Sequence, residues 1–169
     1  RNTTWTETRD TSLGLNFAGV NYYDGQGFMV SKKLNINSAK ELDGATFCLQ
    51  SGSTTEMNLT DYFNTHNMKY KAVTYDTPTQ MISGFKQGRC DAITSDASQL
   101  YSVRLQMKDP SSVIVLPEII SKEPLGPVVL QGDDKWFNIV KWAVYAATTA
   151  EELGVTKANV KAQLKSENP

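Results

Sequence analysis

A repeated alternation of short apolar runs with capped, amphipathic segments is the feature that most constrains how this chain can fold. Three β-like runs, 45–49, 70–75 and 90–94, are each followed within a few residues by a side chain that caps helices. The second repeat is the clearest, because Thr77 precedes a proline at the first helical position and Gln80 three residues on. Such repeats indicate right-handed βαβ units, and hence an α/β fold whose parallel sheet is covered on both faces by helices.

The turn after the first of these runs carries the segment Ser53-Thr54-Thr55-Glu56. Its spacing is a capping-box signature, in which Ser53 caps a new helix while Glu56 reaches back to the Ser53 amide. The first amides of the helix have no partners within it and lie at the positive end of the helix dipole, so they can hold a small anion such as a carboxylate. The alternative is that the motif only turns the chain.

Asp96 follows the third run and begins the cap-like pattern Asp96-x-x-Gln99. Parallel α/β sheets bind ligands at the carboxyl ends of their strands. Ser53, Thr54 and Asp96 all follow such ends, so the pattern predicts a ligand site there. The alternative role for Asp96 is plain N-capping of the next helix.

Charge and residue content exclude several classes of protein. A net charge of −1 without a Lys/Arg run argues against nucleic-acid binding. The single histidine, His66, has no partner at ligand spacing, so we expect no metal site and no His-dependent catalytic triad. We also expect no cofactor. No stretch approaches the roughly 20 apolar residues that span a bilayer, which predicts a soluble domain.

The two cysteines, Cys48 and Cys90, each fall in or beside a predicted strand. If the two strands are neighbours in one sheet, a disulfide could join them and would stabilise the fold by roughly 3–4 kcal/mol in the chain-entropy model. An oxidising compartment would then follow. Two buried free thiols are the alternative.

Six sequence blocks, spread over the whole chain, carry a family resemblance. They are 1–10 (RNTTWTETRD), 21–28 (NYYDGQGF), 52–56 (GSTTE), 88–91 (GRCD), 94–96 (TSD) and 117–127 (PEIISKEPLGP). Together these blocks resemble the periplasmic amino-acid-binding proteins of ABC importers, most closely the general L-amino-acid-binding type within solute-binding protein family 3.

The resemblance implies a type II periplasmic-binding-protein-like α/β fold of two lobes joined by two crossing strands. It places a remnant of the first lobe and the first crossing in residues 1–21. Residues 22–122 form a complete second lobe with a parallel-rich sheet and flanking helices, and residues 123–169 hold the second crossing and the C-terminal helices of a partial first lobe.

The same resemblance implies roles for individual side chains. A residue matching Arg9 pairs with the α-carboxylate of the ligand, and a guanidinium can grip a carboxylate with two hydrogen bonds. Ser53 and Thr54 complete the carboxylate site, and Asp96 takes the α-ammonium. The remaining expected contacts are Asn2 and Thr4, which offer oxygens to the ammonium region, and Thr55 or Gln50, which face the ligand side chain.

Family members carry a long segment before the position of Arg1, which we expect to be missing from a truncated chain. The helix predicted around 136–147 would pack on that segment. Its apolar face must therefore be covered by the missing piece as a separate chain or by a homodimer, or else be exposed.

The function implied is binding of L-amino acids in the periplasm for delivery to the membrane subunits of an ABC importer, without catalysis. A dehydratase-like enzyme on the same fold is an alternative, for which Glu56 and Glu123 are the candidate acids. A stand-alone lobe acting as a sensor or interaction module is a further alternative.

Overall fold

The computed structural model describes residues 3–166, and its main element is a five-stranded sheet. The strands are β3 (Gln26–Ser31), β4 (Thr46–Gln50), β5 (Lys71–Tyr75), β6 (Ala92–Asp96) and β7 (Val113–Val115), in the order β5-β4-β6-β3-β7. Strand β4 is parallel to β5 and β6, whereas β3 is antiparallel to β6 and β7. Four strands therefore run in one direction, which confirms the predicted parallel-rich α/β sheet.

Strand β3 is the exception to the all-parallel arrangement that the βα repeats suggest. Parallel neighbours need crossovers, and the helices α2 (Thr54–Thr65) and α3 (Pro78–Lys86) supply them between β4, β5 and β6. Helix α4 (Ala97–Leu105) links β6 to β7 and contacts β3. Strand β3 lies between β6 and β7 in the sheet and runs antiparallel to both. No local signal in β3 specifies this insertion, because its direction depends on strands that come later in the chain.

Helices cover both faces of the sheet, as predicted. Adjacent residues of a strand point to opposite faces, so Phe28 packs on one side and Met29 on the other. Phe28 belongs to a fully buried cluster with Phe47 and with Phe63 of α2. Met29 belongs to a second cluster formed with residues of α3 and α4. The sheet therefore separates two apolar cores, each sealed by its own helices.

Cys48 and Cys90 form a disulfide with a Cα–Cα distance of 5.5 Å. Cys48 lies in β4, and Cys90 lies just before β6, the neighbouring strand. The predicted pairing is therefore confirmed, and the free-thiol alternative is wrong. The bond closes a loop of 42 residues, for which chain entropy alone stabilises the folded state by about 4 kcal/mol.

The chain divides into two units. Unit 2 spans Tyr23–Glu123 and contains the five-stranded sheet, whereas unit 1 consists of Arg1–Tyr22 and Pro124–Pro169. The two boundaries fall within the short strands β2 (Tyr22–Asp24) and β8 (Glu123–Leu125). The assignment of these units to second and first lobes stays a prediction.

Unit 1 is built from short elements and one long helix. Strands β1 (Leu15–Phe17) and β9 (Val128–Leu130) pair antiparallel, and the ring of Trp5 stacks on that of Phe17 with centroids 5.3 Å apart. The helices are α1 (Glu7–Thr11), α5 (Asp134–Glu152) and α6 (Val160–Gln163).

Helix α5 carries an apolar face that unit 1 does not cover. None of its residues is buried, and Trp136 and Ile139 are 52% and 60% exposed. A groove of about 530 Å³ runs along the helix. Its lining includes Trp136, Ile139, Val140, Ala143, Val144 and Ala147.

Candidate functional site

The start of α2 is formed by a tight turn at the carboxyl end of β4. Gly52 takes a left-handed conformation with φ of 66°, and Ser53 then caps the helix. The Ser53 hydroxyl oxygen accepts a hydrogen bond from the Glu56 amide at 3.3 Å, and the hydroxyl donates to the Gln50 carbonyl oxygen at 2.7 Å. The half-buried Thr54 and Thr55 lie in the same first turn, where a helix supplies no acceptor for its amides. Ser53 therefore fixes a helix N-terminus whose amides can face an anion.

The second hydrogen bond predicted for this capping box, from the Ser53 amide to the Glu56 carboxylate, is wrong. The Glu56 carboxylate accepts a hydrogen bond from the Gly52 amide at 2.8 Å rather than from the Ser53 amide. The left-handed turn at Gly52 brings the earlier amide to the carboxylate. Thr77 and Gln80, in contrast, form both bonds of a complete capping box at the start of α3, as predicted.

Asp96 is 7% exposed and lies at the carboxyl end of β6, at the N-cap position of α4. Its side chain makes no capping hydrogen bond with α4, so the alternative reading of Asp96 as a plain N-cap is wrong. The cap-like Gln99 is also not used as the pattern suggests, because its side-chain oxygen accepts a hydrogen bond from the Ser95 hydroxyl at 2.7 Å.

The capping of α4 is done by Asp24, which the sequence analysis missed. One Asp24 carboxylate oxygen accepts from the Gly25 amide at 2.8 Å, and the carboxylate lies 3.4 Å from the Ser98 amide in the first turn of α4. Asp24 is 74 residues from Ser98, so no local spacing could have pointed to it.

Ser53, Thr54, Thr55 and Asp96 are called here the α2–β6 site. Strands β4 and β6 are parallel neighbours, so their carboxyl ends meet at the same edge of the sheet. Helix α2 begins just after the carboxyl end of β4, and Asp96 is the last residue of β6. The fold of unit 2 therefore brings together the anion-binding helix end and the carboxylate that the sequence analysis singled out.

Two residues that the resemblance assigns to the ligand, Arg9 and Thr4, are joined by a hydrogen bond in unit 1. The Arg9 guanidinium donates from Nη1 to the Thr4 carbonyl oxygen at 2.6 Å, and Thr6 caps the turn by accepting from the Arg9 amide at 3.3 Å. Thr4 is 6% exposed and forms an isolated bridge with Leu125. Asn2 lies outside the described residues.

The remaining candidates have specific contacts in unit 2. The Gln50 side chain donates to the Asp76 carbonyl oxygen at 3.4 Å, a long hydrogen bond. Glu123, one of the two candidate acids for the enzyme alternative, is 3% exposed and accepts from the Asn58 amide group at 2.8 Å. The other acid, Glu56, serves the turn at Gly52. Both carboxylates therefore have structural partners, and neither observation favours catalysis.

Within residues 3–166, no helix combines the length and the apolar content that crossing a bilayer requires.

The fold, compared with solved structures, defines the class of protein. The chain aligns along its full length with an ABC transporter periplasmic binding protein from Brucella ovis, solved with glutathione bound. The TM-score is 0.93 and the identity 53%, and the match covers 100% of this chain and 53% of that one. The fold is therefore that of the type II periplasmic binding proteins, as the resemblance implies.

The family follows from the sequence comparisons. A family model described as NMT1/THI5 like matches residues 16–135, and the chain belongs to this family. It is 58% identical to the general L-amino acid-binding periplasmic protein AapJ of Rhizobium johnstonii, over 100% of this chain and 50% of AapJ. It is 56% identical to the glutamate/glutamine/aspartate/asparagine-binding protein BztA of Rhodobacter capsulatus, over 95% of this chain and 47% of BztA.

These matches confirm the resemblance to periplasmic amino-acid-binding proteins. The chain spans about half the length of the curated relatives it matches.

Proposed function

We propose that this chain contributes to the binding of L-amino acids in the periplasm for uptake by an ABC importer, and that it performs no catalysis. The observation that carries the proposal is the pairing, within unit 2, of an anion-binding helix end with a nearly buried Asp96 that does not cap its own helix. These two features match the two charges of an amino acid. The names of AapJ and BztA support the same ligand class.

In this proposal the first turn of α2 receives the α-carboxylate. The amides of Thr54 and Thr55 are the proposed donors, helped by the positive end of the helix dipole. Ser53 contributes by holding this turn in place, because its hydroxyl already donates to the Gln50 carbonyl oxygen. Asp96 receives the α-ammonium, because a carboxylate held away from water interacts strongly with a cation. Thr55 and Gln50 are proposed to face the ligand side chain.

Arg9, Thr4 and Asn2 are proposed as the contributions of the rest of the chain. A guanidinium carries five N–H donors, and the bond to Thr4 uses one of them. The others are suited to a carboxylate. The proposal includes a periplasmic location and the membrane subunits of the importer as partners, and both are supported by the relatives' names. It also includes the roles of these three residues.

The proposal is tested by calorimetric titration of the 169-residue chain with L-glutamate at neutral pH. We expect measurable binding that Asp96→Asn weakens by tenfold or more, because the ammonium then loses its charged partner. Asp133→Asn is the matched control, since Asp133 accepts from the Trp136 amide at 2.9 Å as the N-cap of α5.

A second ligand makes the test specific for the ammonium group. Glutarate has the two carboxylates of glutamate but lacks the ammonium, so its weaker binding should be insensitive to Asp96→Asn. Equal affinity of the wild type and Asp96→Asn for L-glutamate, or the same loss for both ligands, would contradict the role of Asp96.

A further inference from the structure

Gln26 is a buried polar side chain that the proposed ligand contacts do not use. It is the first residue of β3 and is 1% exposed. In the antiparallel register it lies directly opposite Asp96, so the two side chains project from the same face of the sheet. A buried glutamine beside a ligand-binding carboxylate needs a physical reason, because burying an amide is costly unless it is hydrogen-bonded.

The Gln26 amide joins the two halves of the α2–β6 site. Its Nε2 donates to the Thr55 carbonyl oxygen in the first turn of α2 at 3.0 Å, and to the Thr94 hydroxyl oxygen in β6 at 2.9 Å. The Thr94 hydroxyl in turn donates to the Gly27 carbonyl oxygen at 2.7 Å. Both N–H bonds of the amide are therefore spent on connecting α2 to β6.

The orientation of this amide follows from its partners. The Thr55 carbonyl can only accept, and the Thr94 hydroxyl already donates to Gly27, so both need the NH₂ end of Gln26. The opposite end, Oε1, is buried and has no hydrogen-bond partner among the described residues. Both donors of this buried amide are therefore satisfied, and their partners lie on the two elements that form the site.

We propose that Gln26 is a positioning residue, which holds the first turn of α2 at a set place relative to Asp96 so that one ligand meets both. The inference rests on the proposed amino-acid function of the α2–β6 site. Gln26 acts through Thr55 and Thr94 and does not itself touch the ligand. Its contribution is preorganisation, since ordering the two halves before binding lowers the entropic cost of binding.

The test uses Gln26→Met in the 169-residue chain. Methionine keeps the length and the apolar stem but removes both donors and the unpaired oxygen. We expect L-glutamate to bind about tenfold more weakly, the loss of two hydrogen bonds that order the site. The matched control is Gln87→Met on α3's exposed end, where Nε2 donates to the Ser83 hydroxyl oxygen. That control should bind like the wild type.

A double-mutant cycle with Asp96→Asn distinguishes positioning from a general structural role. If Gln26 aligns the helix end with Asp96, Gln26→Met should change the affinity for L-glutamate by at most twofold in the Asp96→Asn background. Thr94→Val is a second, shape-conserving variant, and it should weaken binding less than Gln26→Met because the bond to Thr55 remains. Affinity of Gln26→Met within twofold of the wild type, or fully additive effects in the cycle, would overturn the proposal.

Backbone NMR spectra recorded without ligand test the positioning role independently of binding. In Gln26→Met, the amide signals of 54–56 and of Asp96 should shift together and exchange with solvent faster, whereas Gln87→Met should leave them in place. Shifts confined to 25–27, the residues next to Gln26 along the chain, would overturn the positioning role. If the wild-type chain gives no heat with L-glutamate, the proposed function fails, and this NMR arm still decides whether Gln26 holds α2 and β6 together.

Discussion

At the scale of single residues, Glu118 shows how local partners set the charge of a half-buried acid. Burial acts to raise its pKa, but the Ser38 hydroxyl, the Ala39 amide and the Lys40 charge together hold the pKa below the usual 4.5. The Ser38 hydroxyl donates to Glu118 Oε1 at 2.6 Å. The charged form is therefore favoured in the folded state. Burial raises the pKa of Tyr62, and the Glu118 carboxylate raises it further.

We expect Glu118→Gln to change the pH dependence of stability. Because the folded state lowers the pKa of Glu118, the carboxylate stabilises the fold above about 4.5, and this contribution is lost as the pH falls through the folded value. The wild type should therefore exceed the variant in free energy of unfolding at neutral pH, and the difference should shrink in acid. Urea unfolding of both proteins at neutral pH and below pH 4.5 measures this.

The control for this experiment is Glu41→Gln, which removes an exposed carboxylate that accepts from the Asn37 amide at 3.2 Å. A stability difference between the wild type and Glu118→Gln that stays constant across the pH range would show that Glu118 contributes only through packing.

At the scale of elements, the N-terminus of α4 depends on a residue from another strand. Asp24 in β2 takes the capping role, and this leaves the Asp96 side chain outside the cap. The helix packs into the core of unit 2 through Leu100 and Val103. Asp24 therefore stabilises the N-terminus of α4, and Asp96 is left for the ligand contact proposed at the α2–β6 site.

We expect Asp24→Ala to destabilise the fold by about 1 kcal/mol, the typical cost of losing an N-cap acceptor. Asp24→Asn keeps a side-chain oxygen at this position and should cost less than half as much. Thermal unfolding of the wild type and both variants gives the comparison. If the two substitutions cost the same, the charge of Asp24 rather than its capping geometry would be responsible.

At the scale of the whole molecule, the uncovered apolar face of α5 is the feature most relevant to self-association of the protein. The groove along α5 is lined largely by apolar side chains, among them Trp136, Ile139 and Val140, and contiguous exposed apolar surface of this kind marks an interaction site. Exposed apolar faces of this kind associate with one another in water, so we expect a second copy of the chain to cover the groove.

Accordingly, the isolated 169-residue chain should associate with itself in a concentration-dependent way. Ile139→Lys should weaken this association, because it places a charge in the middle of the apolar face. Sedimentation velocity over a range of concentrations is the measurement, and Lys135→Ala on the same helix is the control. A wild-type chain that stays monomeric at every concentration would contradict the prediction.

The sequence by itself determined the features that depend on neighbours along the chain. The cap at Ser53 and the complete capping box at Thr77 were predictable because their hydrogen bonds join residues a few positions apart. The strands β4, β5 and β6 were predictable as elements from their short apolar runs, although their ladder partners lie far away in the chain. The Cys48–Cys90 pairing was predictable only on the condition that the two strands are neighbours, and the sheet order decided that condition, because β5 separates β4 from β6 along the chain. The position of Ser53, Thr54 and Asp96 at the carboxyl ends of two strands also followed from the order of runs and caps in the sequence, and their role in ligand binding stays a prediction.

Only the tertiary structure decided the features that depend on distant residues. The opposite direction of β3, the capping of α4 by Asp24 and the link from Gln26 to Thr94 all join parts of the chain far apart in sequence. Such contacts form only when packing brings the elements together, and no spacing or periodicity encodes them. For the same reason the sequence assigned Asp96 a possible capping role, which the fold gives to another residue.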